Sequence, residues 1–149
     1  MLALLAGAAC GLERERLDKP AGLRTYILVC EGAALFMIAS LMLGDGVRRA
    51  GGYGYDPSRI GSTIVQGVGF LAAGVILVSG NRIRGLTTAA GIWVTAAIGV
   101  LIGAGYFMIA VAGIVATLFV LICLRWVEHR LFARSPHDEL LQPDLPDPI

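Results

Sequence analysis

Glycine is frequent inside the apolar stretch that runs from Gly67 to Ala90, and this combination restricts the fold more than any other feature. Each glycine inside a helix costs about 1 kcal/mol relative to alanine, which makes so many of them unexpected in a water-soluble core. Membrane helices tolerate glycine, because it lets two backbones approach closely. We therefore predict two membrane helices joined by a turn in this stretch, packed against each other.

The composition agrees with a membrane protein. The 149 residues are 56% hydrophobic and 15% charged, whereas soluble domains carry roughly 25% charged residues. The formal net charge of +1 argues against nucleic-acid binding through a basic surface. Cys10, Cys30 and Cys123 lie in apolar runs without CxxC spacing. That pattern predicts buried thiols rather than a zinc site or a disulfide framework.

The apolar runs predict an all-α membrane protein, a bundle of about five transmembrane helices. The predicted helices cover 1–12, 25–43, 60–79, 86–102 and 106–127. The first run is about 18 Å long as a helix, shorter than the roughly 30 Å hydrocarbon layer, so this helix is short or begins before Met1. We assign 1–132 to the transmembrane domain and 133–149, rich in proline and acidic residues, to a disordered cytoplasmic tail.

Orientation follows from the distribution of Lys and Arg between the two sides of the membrane. Five spans place the first loop, the third loop and the tail on one side. Those segments hold nine basic residues: Arg14, Arg16, Lys19, Arg24, Arg82, Arg84, Arg125, Arg130 and Arg134. Only Arg48, Arg49 and Arg59 fall on the other side. We expect an inner-membrane protein with its N-terminus outside and its C-terminus in the cytoplasm.

Glu31 is the main candidate for chemistry, because a carboxylate inside a membrane helix is costly unless it is paired, protonated or in contact with water. One interpretation is a cation or proton site, to which Thr88 and Thr95 contribute oxygens. The other is a structural ion pair with Arg82 or Arg84. The two interpretations carry similar weight.

Charged residues also gather at the predicted cytoplasmic rim. They are Glu13, Arg14, Glu15, Asp18, Arg24, Arg82 and Arg84. Salt bridges that lock the first four helices together, such as pairs of Glu13 with Arg82 or Arg84, are the preferred interpretation. A binding site for an anion or a partner is the alternative.

At the opposite end, Asp45 and Asp56 face Arg48, Arg49 and Arg59. Helix capping is the simpler account of Asp56, which lies three residues before Arg59. The alternative is a hydrated cation vestibule, which would suit Mg²⁺ because this ion prefers oxygen ligands and keeps several waters. We expect no cofactor, and Mg²⁺ is the candidate ligand.

Packing between helices is predicted at seven glycines. They are Gly67, Gly69, Gly74, Gly85, Gly91, Gly99 and Gly103, and the last two form a GxxxG pair. We expect helices three and four to form the tight core. Gln66 of helix three can bond across helices or line a pathway, and cross-helix bonding is favoured. No nucleophile and base pair, Walker loop, GxSxG or metal-ligand cluster occurs in the sequence, so we predict a non-enzymatic protein.

Several motifs in this order and spacing resemble the MgtC/SapB family of bacterial inner-membrane proteins. They are Gly11-Leu12-Glu13-Arg14-Glu15, Lys19-Pro20-Ala21-Gly22-Leu23-Arg24-Thr25, Asp56 with Arg59, Gly67-Val68-Gly69-Phe70-Leu71-Ala72-Ala73-Gly74, and Gly85-Leu86-Thr87-Thr88-Ala89-Ala90 with Trp93. The chain departs from the family at Ala72, where glycine is usual, and at Tyr26, where histidine is frequent. Larger members carry a folded C-terminal domain, whereas we expect only a short proline-rich tail at 133–149 of this sequence.

The resemblance implies a membrane protein linked to magnesium limitation and to bacterial survival inside hosts. It also implies the proton-translocating ATP synthase as one candidate membrane partner. Two functions follow. The first is a regulator or adaptor for low magnesium that works through helix contacts in the bilayer, with itself as a homo-oligomer or with another membrane protein. The second is a transporter of magnesium or another cation, with Glu31, Asp45 and Asp56 on the path.

Overall fold

The computed structural model describes residues 1–56, 58–79, 82–124 and 126. Five α-helices and a two-stranded β-hairpin occur in this described part, which confirms the predicted helical architecture. In chain order they are α1 Leu2–Arg16, α2 Leu23–Arg49, α3 Ser58–Ala73, β1 Leu77–Ser79, β2 Arg82–Arg84, α4 Leu86–Gly103 and α5 Phe107–Phe119. Residues Met1–Leu118 form one compact unit. A second unit, Phe119–Ile149, contains the π-helical segment Val120–Leu124.

α2 is the central helix of the first unit and packs most extensively against α4 and α1. α2 and α4 run parallel, because Gly91 contacts Tyr26 near the start of both helices and Gly103 contacts Met37 further along. α1 runs antiparallel to α2. α3 packs against α4 and, over a smaller area, against α2. The buried residues of these four helices form one core.

α1 and α2 extend further than the sequence predicts. α1 ends at Arg16 and α2 at Arg49, so Glu13 and Asp45 lie on helices rather than in loops. Arg48 donates to the Asp45 carboxylate over 3.2 Å on the same helix face. Arginines in a last turn also interact favourably with the helix dipole. The predicted boundaries were wrong because polar composition was taken as the end of the helix.

A β-hairpin replaces the end of the predicted third helix. α3 ends at Ala73, and Leu77–Ser79 pairs with Arg82–Arg84 in an antiparallel arrangement. The β-branched residues in this segment favour extended backbone. Gly85 follows with a φ of 87°, and a Cβ there would meet the Val75 carbonyl. Only glycine fits that position, so Gly85 shapes the turn into α4 instead of packing between helices.

Within the described residues, two helices are long and apolar enough to cross a membrane, namely α2 and α4. A shorter apolar helical stretch covers Phe107–Cys123. Within α5 only Ala110 is fully buried, and the exposed side chains of Met108, Val111 and Val115 leave an apolar surface for contact with lipid or another protein. The predicted tail, 133–149, lies outside the described residues.

Two connections lie at the same end of the bundle. The backbone N–H of Leu23, at the start of α2, donates to the Glu15 carboxylate at the end of α1 over 2.8 Å. The Tyr26 hydroxyl donates to the Thr88 carbonyl in the first turn of α4 over 3.2 Å. The α1–α2 loop and the β-hairpin that precedes α4 therefore share one end of the bundle, as the predicted five-span topology requires.

Candidate functional site

A buried polar cluster lies where α1, α2 and α4 meet. Tyr26 is 0% exposed, and its hydroxyl donates to the Thr88 backbone carbonyl. Gly91 lies beneath this hydroxyl, in a position where any Cβ would collide with it. A buried tyrosine needs a partner for its hydroxyl, and the first turn of α4 supplies it. Tyr26 thereby joins α2 to α4.

Small side chains complete the cluster. Cys10 and Cys30 are fully buried, as predicted, whereas Cys123 is exposed. Thr95 is also fully buried, and its hydroxyl donates to the Gly91 carbonyl over 2.8 Å. The Cys10 thiol shares a hydrogen bond with the Thr95 side chain. These polar atoms are satisfied inside the bundle, so the cluster is a packed core rather than an open cavity.

Glycines of α4 bring its backbone against α2. A Cβ at Gly99 would lie 2.9 Å from Cβ of Ala33, and one at Gly103 would lie 2.9 Å from Cβ of Met37. Both distances are shorter than the normal separation of two non-bonded carbon atoms. A residue larger than glycine therefore fits at either position only if α2 and α4 move apart. Gly99 and Gly103 therefore pack α4 against α2.

The predicted packing glycines of α3 behave differently. No atom lies within 4 Å of a Cβ built on Gly67 or Gly69. A Cβ at Gly74 would meet only the carbonyl oxygens of Leu71, at 3.3 Å, and Phe70, at 3.8 Å. The prediction that helices three and four form the tight core through glycine faces was therefore wrong. The tight pairs are α2 with α4 and α2 with α1, because the glycines of α3 face away from α4.

An ion pair is buried beside the cluster. Arg14 Nε lies 2.7 Å from the Glu13 carboxylate, and the two side chains are 5% and 16% exposed. The Nε–H is not aligned as a hydrogen bond, so we treat the contact as chiefly electrostatic. Removing each charged group from water costs several kcal/mol, and the attraction between the two charges offsets this cost. This pair joins neighbouring residues of α1, whereas the pairs predicted for the rim join two helices.

Other rim residues do not form the predicted network. The Glu15 carboxylate accepts the Leu23 N–H and caps α2. Arg24 and Arg84 are exposed, and no ion pair of either occurs among the described residues. In particular, the structure shows no pair of Arg84 with Glu13 or Glu31. The Arg82 side chain lies outside the described part, so its predicted pairs stay predictions.

Glu31 is half-buried on α2. No hydrogen bond or ion pair joins it to another residue in the described part of the chain. Thr88 and Thr95, the expected donors of oxygens to the same cavity, face the buried cluster instead. The structure thus leaves Glu31 as a lone carboxylate on a membrane helix.

The outer end holds capping and surface contacts. The Asp56 carboxylate accepts the Ser58 N–H over 2.9 Å at the start of α3. Hydrogen bonds from the Ser58 side chain and backbone, with a smaller effect of nearby Arg59, lower the pKa of Asp56 below its usual value. Among the described residues, no three His, Cys, Asp or Glu side chains come together in a way that could hold a metal ion. Capping is the role of Asp56 that these contacts show.

A wide apolar groove opens between α2 and α3, with a volume of about 650 Å³. Its walls include Leu28, Gly32 and Phe36 of α2, and Thr63, Gly67 and Leu71 of α3. No atom lies within 4 Å of a Cβ built on Gly32 or Gly67. The groove therefore has room at both glycines for an inserted side chain or a closely packed helix.

Sequence reasoning missed the central role of Tyr26 and the groove. Tyr26 is a large side chain in an apolar run, and the helix that it contacts is rich in small residues. This difference in side-chain size was the available signal in the sequence. The groove had no sequence signal, because glycines that pack and glycines that face open space look alike in a sequence.

Comparisons with known proteins place these features in a family. The model of the MgtC family matches residues 1–130. The Escherichia coli K12 protein named "Putative magnesium transporter YhiD" is 47% identical over 140 residues, 94% of this chain and 65% of its own length. "Protein MgtC" of Salmonella typhimurium LT2 is 42% identical over 131 residues, which are 88% of this chain and 53% of its own length.

The uncharacterised protein slr0014 of Synechocystis is 44% identical over 124 residues, 83% of this chain and 50% of its own length. The chain thus spans about half to two thirds of the length of these relatives. No solved structure matches it significantly. Because the family model covers all five helices of the described part, the chain belongs to the MgtC family of membrane proteins.

Proposed function

We propose that this protein is a non-enzymatic inner-membrane factor in adaptation to low magnesium, and that it acts by binding a helix of another membrane protein in the groove between α2 and α3. The groove is the observation that carries this proposal. It is apolar, open, and walled by Gly32 and Gly67, both of which leave space above their backbones. A membrane helix can approach closely at such glycines.

The rest of the bundle supports an adaptor over a channel. α1, α2 and α4 meet in a closed core in which Gly99 and Gly103 leave no space against α2. The polar atoms of that core bond to each other, as Tyr26 does to Thr88. The link to magnesium comes from the name of the relative YhiD and from family membership. ATP synthase is one candidate partner.

The multi-pass orientation is part of the proposal. The end that carries the α1–α2 loop and the β-hairpin faces the cytoplasm, because Arg24 and Arg84 lie there in addition to the other basic residues of both connections. The α2–α3 loop with Asp56 then faces outward.

Filling the groove tests the adaptor. We expect Gly32→Leu to abolish most growth rescue at low magnesium when the chain is expressed in a strain that lacks its own copy, because the side chain occupies the partner's place. The matched control is Gly46→Leu, since Gly46 lies on the same helix, outside the groove, and also has no atom within 4 Å of its Cβ position. Equal membrane levels of both variants must be verified by immunoblot. Full rescue by Gly32→Leu would contradict the proposal.

Cation transport is the second candidate, and the lone Glu31 favours it. A carboxylate on a membrane helix with no partner in the described part of the chain can bind a cation that enters from water. If the protein transports magnesium, proteoliposomes holding it should take up Mg²⁺ above empty liposomes, and Glu31→Gln should lose that uptake. Asp18→Asn is the control, because Asp18 is exposed in the α1–α2 loop, outside the predicted path. Absence of uptake by the parent protein would remove this candidate.

A further inference from the structure

We propose that the outward face of α3, formed by Ser62, Gln66, Gly69 and Ala73, packs against the same face of a second copy of this chain within the membrane. We call this face the α3 seam. It goes beyond the proposed adaptor function, because it concerns a different surface and a different partner.

The seam has the spacing of a helix-packing face. Its residues follow one another at intervals of four, three and four, which is the repeat that keeps side chains on one line between two helices. Ser62, Gln66 and Ala73 are exposed, and no atom lies within 4 Å of a Cβ built on Gly69. The opposite side of α3 packs into the bundle through Ile64, Val68 and Ala72.

Gln66 is the residue that requires a partner. The hydroxyls of Ser62 and Thr63 each donate to the Arg59 carbonyl over 2.8 Å, so their own helix satisfies them. Gln66 is exposed and makes no hydrogen bond to any described residue. It lies eight residues into α3, about 12 Å along the helix, and the membrane span predicted for 60–79 places this depth inside the hydrocarbon layer. A carboxamide left without a partner in lipid is strongly unfavourable.

A second copy supplies the required chemistry. Two copies with the same orientation in a membrane are related by a twofold axis along the membrane normal, which places α3 beside its own counterpart, parallel and in register. Gln66 then faces Gln66 of the second copy. A carboxamide is both donor and acceptor, so two of them can exchange hydrogen bonds. Gly69 permits the close approach that these short bonds need.

The charges at the start of α3 fit the same arrangement. Asp56 lies three positions before Arg59, and both residues are exposed. Across a twofold axis each copy offers one acidic and one basic group, so Asp56 of one copy can lie beside Arg59 of the other. This end of the seam is self-complementary rather than repulsive.

Cysteine cross-linking in native membranes tests the seam. The background is Cys123→Ser, in which the remaining Cys10 and Cys30 are buried. We expect Ser62→Cys and Ala73→Cys, both of which keep Gln66, to give strong disulfide-linked dimers. The matched controls are Val65→Cys and Leu71→Cys, which are 39% and 56% exposed but lie off the seam, and should stay near background.

Side-chain variants test the chemistry. Gln66→Leu should lose dimerisation, measured by energy transfer between two labelled copies in liposomes, whereas Gln66→Asn should retain it. A monodisperse elution profile shows that each variant is folded. Cross-links that are absent at positions 62 and 73, equal at all four positions, or formed with a different protein would overturn the proposal. Unchanged dimerisation of Gln66→Leu would also overturn it.

Discussion

Replacing Arg14 with methionine should lower the free energy of unfolding by about 3–5 kcal/mol, the usual cost of removing one partner from a buried ion pair. Arg14 is 4% exposed, and its Nε lies 2.7 Å from the Glu13 carboxylate. Methionine retains most of the apolar stem but removes the charge. The Glu13 carboxylate then loses the guanidinium that lies against it in a region of low dielectric, and the loss of this electrostatic contact is the source of the large effect.

The control for this variant is a pair with the same chemistry and different burial. Arg48 and Asp45 also form an ion pair, with side chains 73% and 60% exposed. Arg48→Met should cost about 0–1 kcal/mol, because water and salt screen exposed pairs. Unfolding of both variants in detergent micelles, followed by circular dichroism against denaturant, measures the difference. Equal losses in the two variants would contradict the burial argument.

A double variant separates the charge effect from packing. If the contact with the Glu13 carboxylate causes the loss, Arg14→Met should cost less stability in a Glu13→Gln background than in the parent protein. Additive losses would mean that the stem of Arg14, rather than its charge, stabilises the end of α1.

The sequence predicted the features that depend on local composition. The apolar runs gave helices near the observed α2 and α4, and α4 begins at the predicted residue, Leu86. The family motifs were likewise identified from the sequence alone. These predictions succeed because each depends only on the local sequence. The length of an apolar run indicates whether that segment can form a membrane helix, and a glycine indicates where the run is broken.

Features that depend on helix rotation were predicted poorly. The sequence showed glycines on both helices three and four, but not which of them face a neighbour. Gly99 meets α2 whereas Gly67 meets open space. Gln66 was expected to bond across helices, and within the described chain it faces outward. The rotation of a helix about its axis depends on its packing against all of its neighbours. A local sequence pattern does not contain that information.

The β-hairpin was missed for a related reason. A short apolar run such as Val75–Val78 can continue a helix or form a strand, and its periodicity does not decide between them. The antiparallel pairing of Val78 with Ile83 decides it, and this pairing depends on residues beyond the turn. Cation binding by Glu31 and Asp56 stays a prediction.

Gly99→Ala and Gly67→Ala should change stability in opposite directions. In a helix, glycine to alanine contributes up to about 1 kcal/mol of favourable propensity at either position. At Gly99 the added methyl would meet the Cys30 carbonyl and lie 2.9 Å from Cβ of Ala33. Forcing such a contact costs about 1–3 kcal/mol, so Gly99→Ala should be less stable than the parent protein. At Gly67 the methyl meets nothing, so Gly67→Ala should be equally stable or more stable.

Thermal unfolding in detergent gives the sign for each variant. The buried thiols of Cys10 and Cys30 report unfolding when they react with a maleimide dye, and Cys123→Ser removes the exposed thiol from the background. A lower midpoint for Gly99→Ala with an unchanged or higher midpoint for Gly67→Ala is expected. Midpoints lowered equally would mean that α3 packs as closely as α4 does, contrary to the structure. Because the two substitutions are chemically identical, opposite signs can arise only from the surroundings of each glycine, which the sequence does not contain.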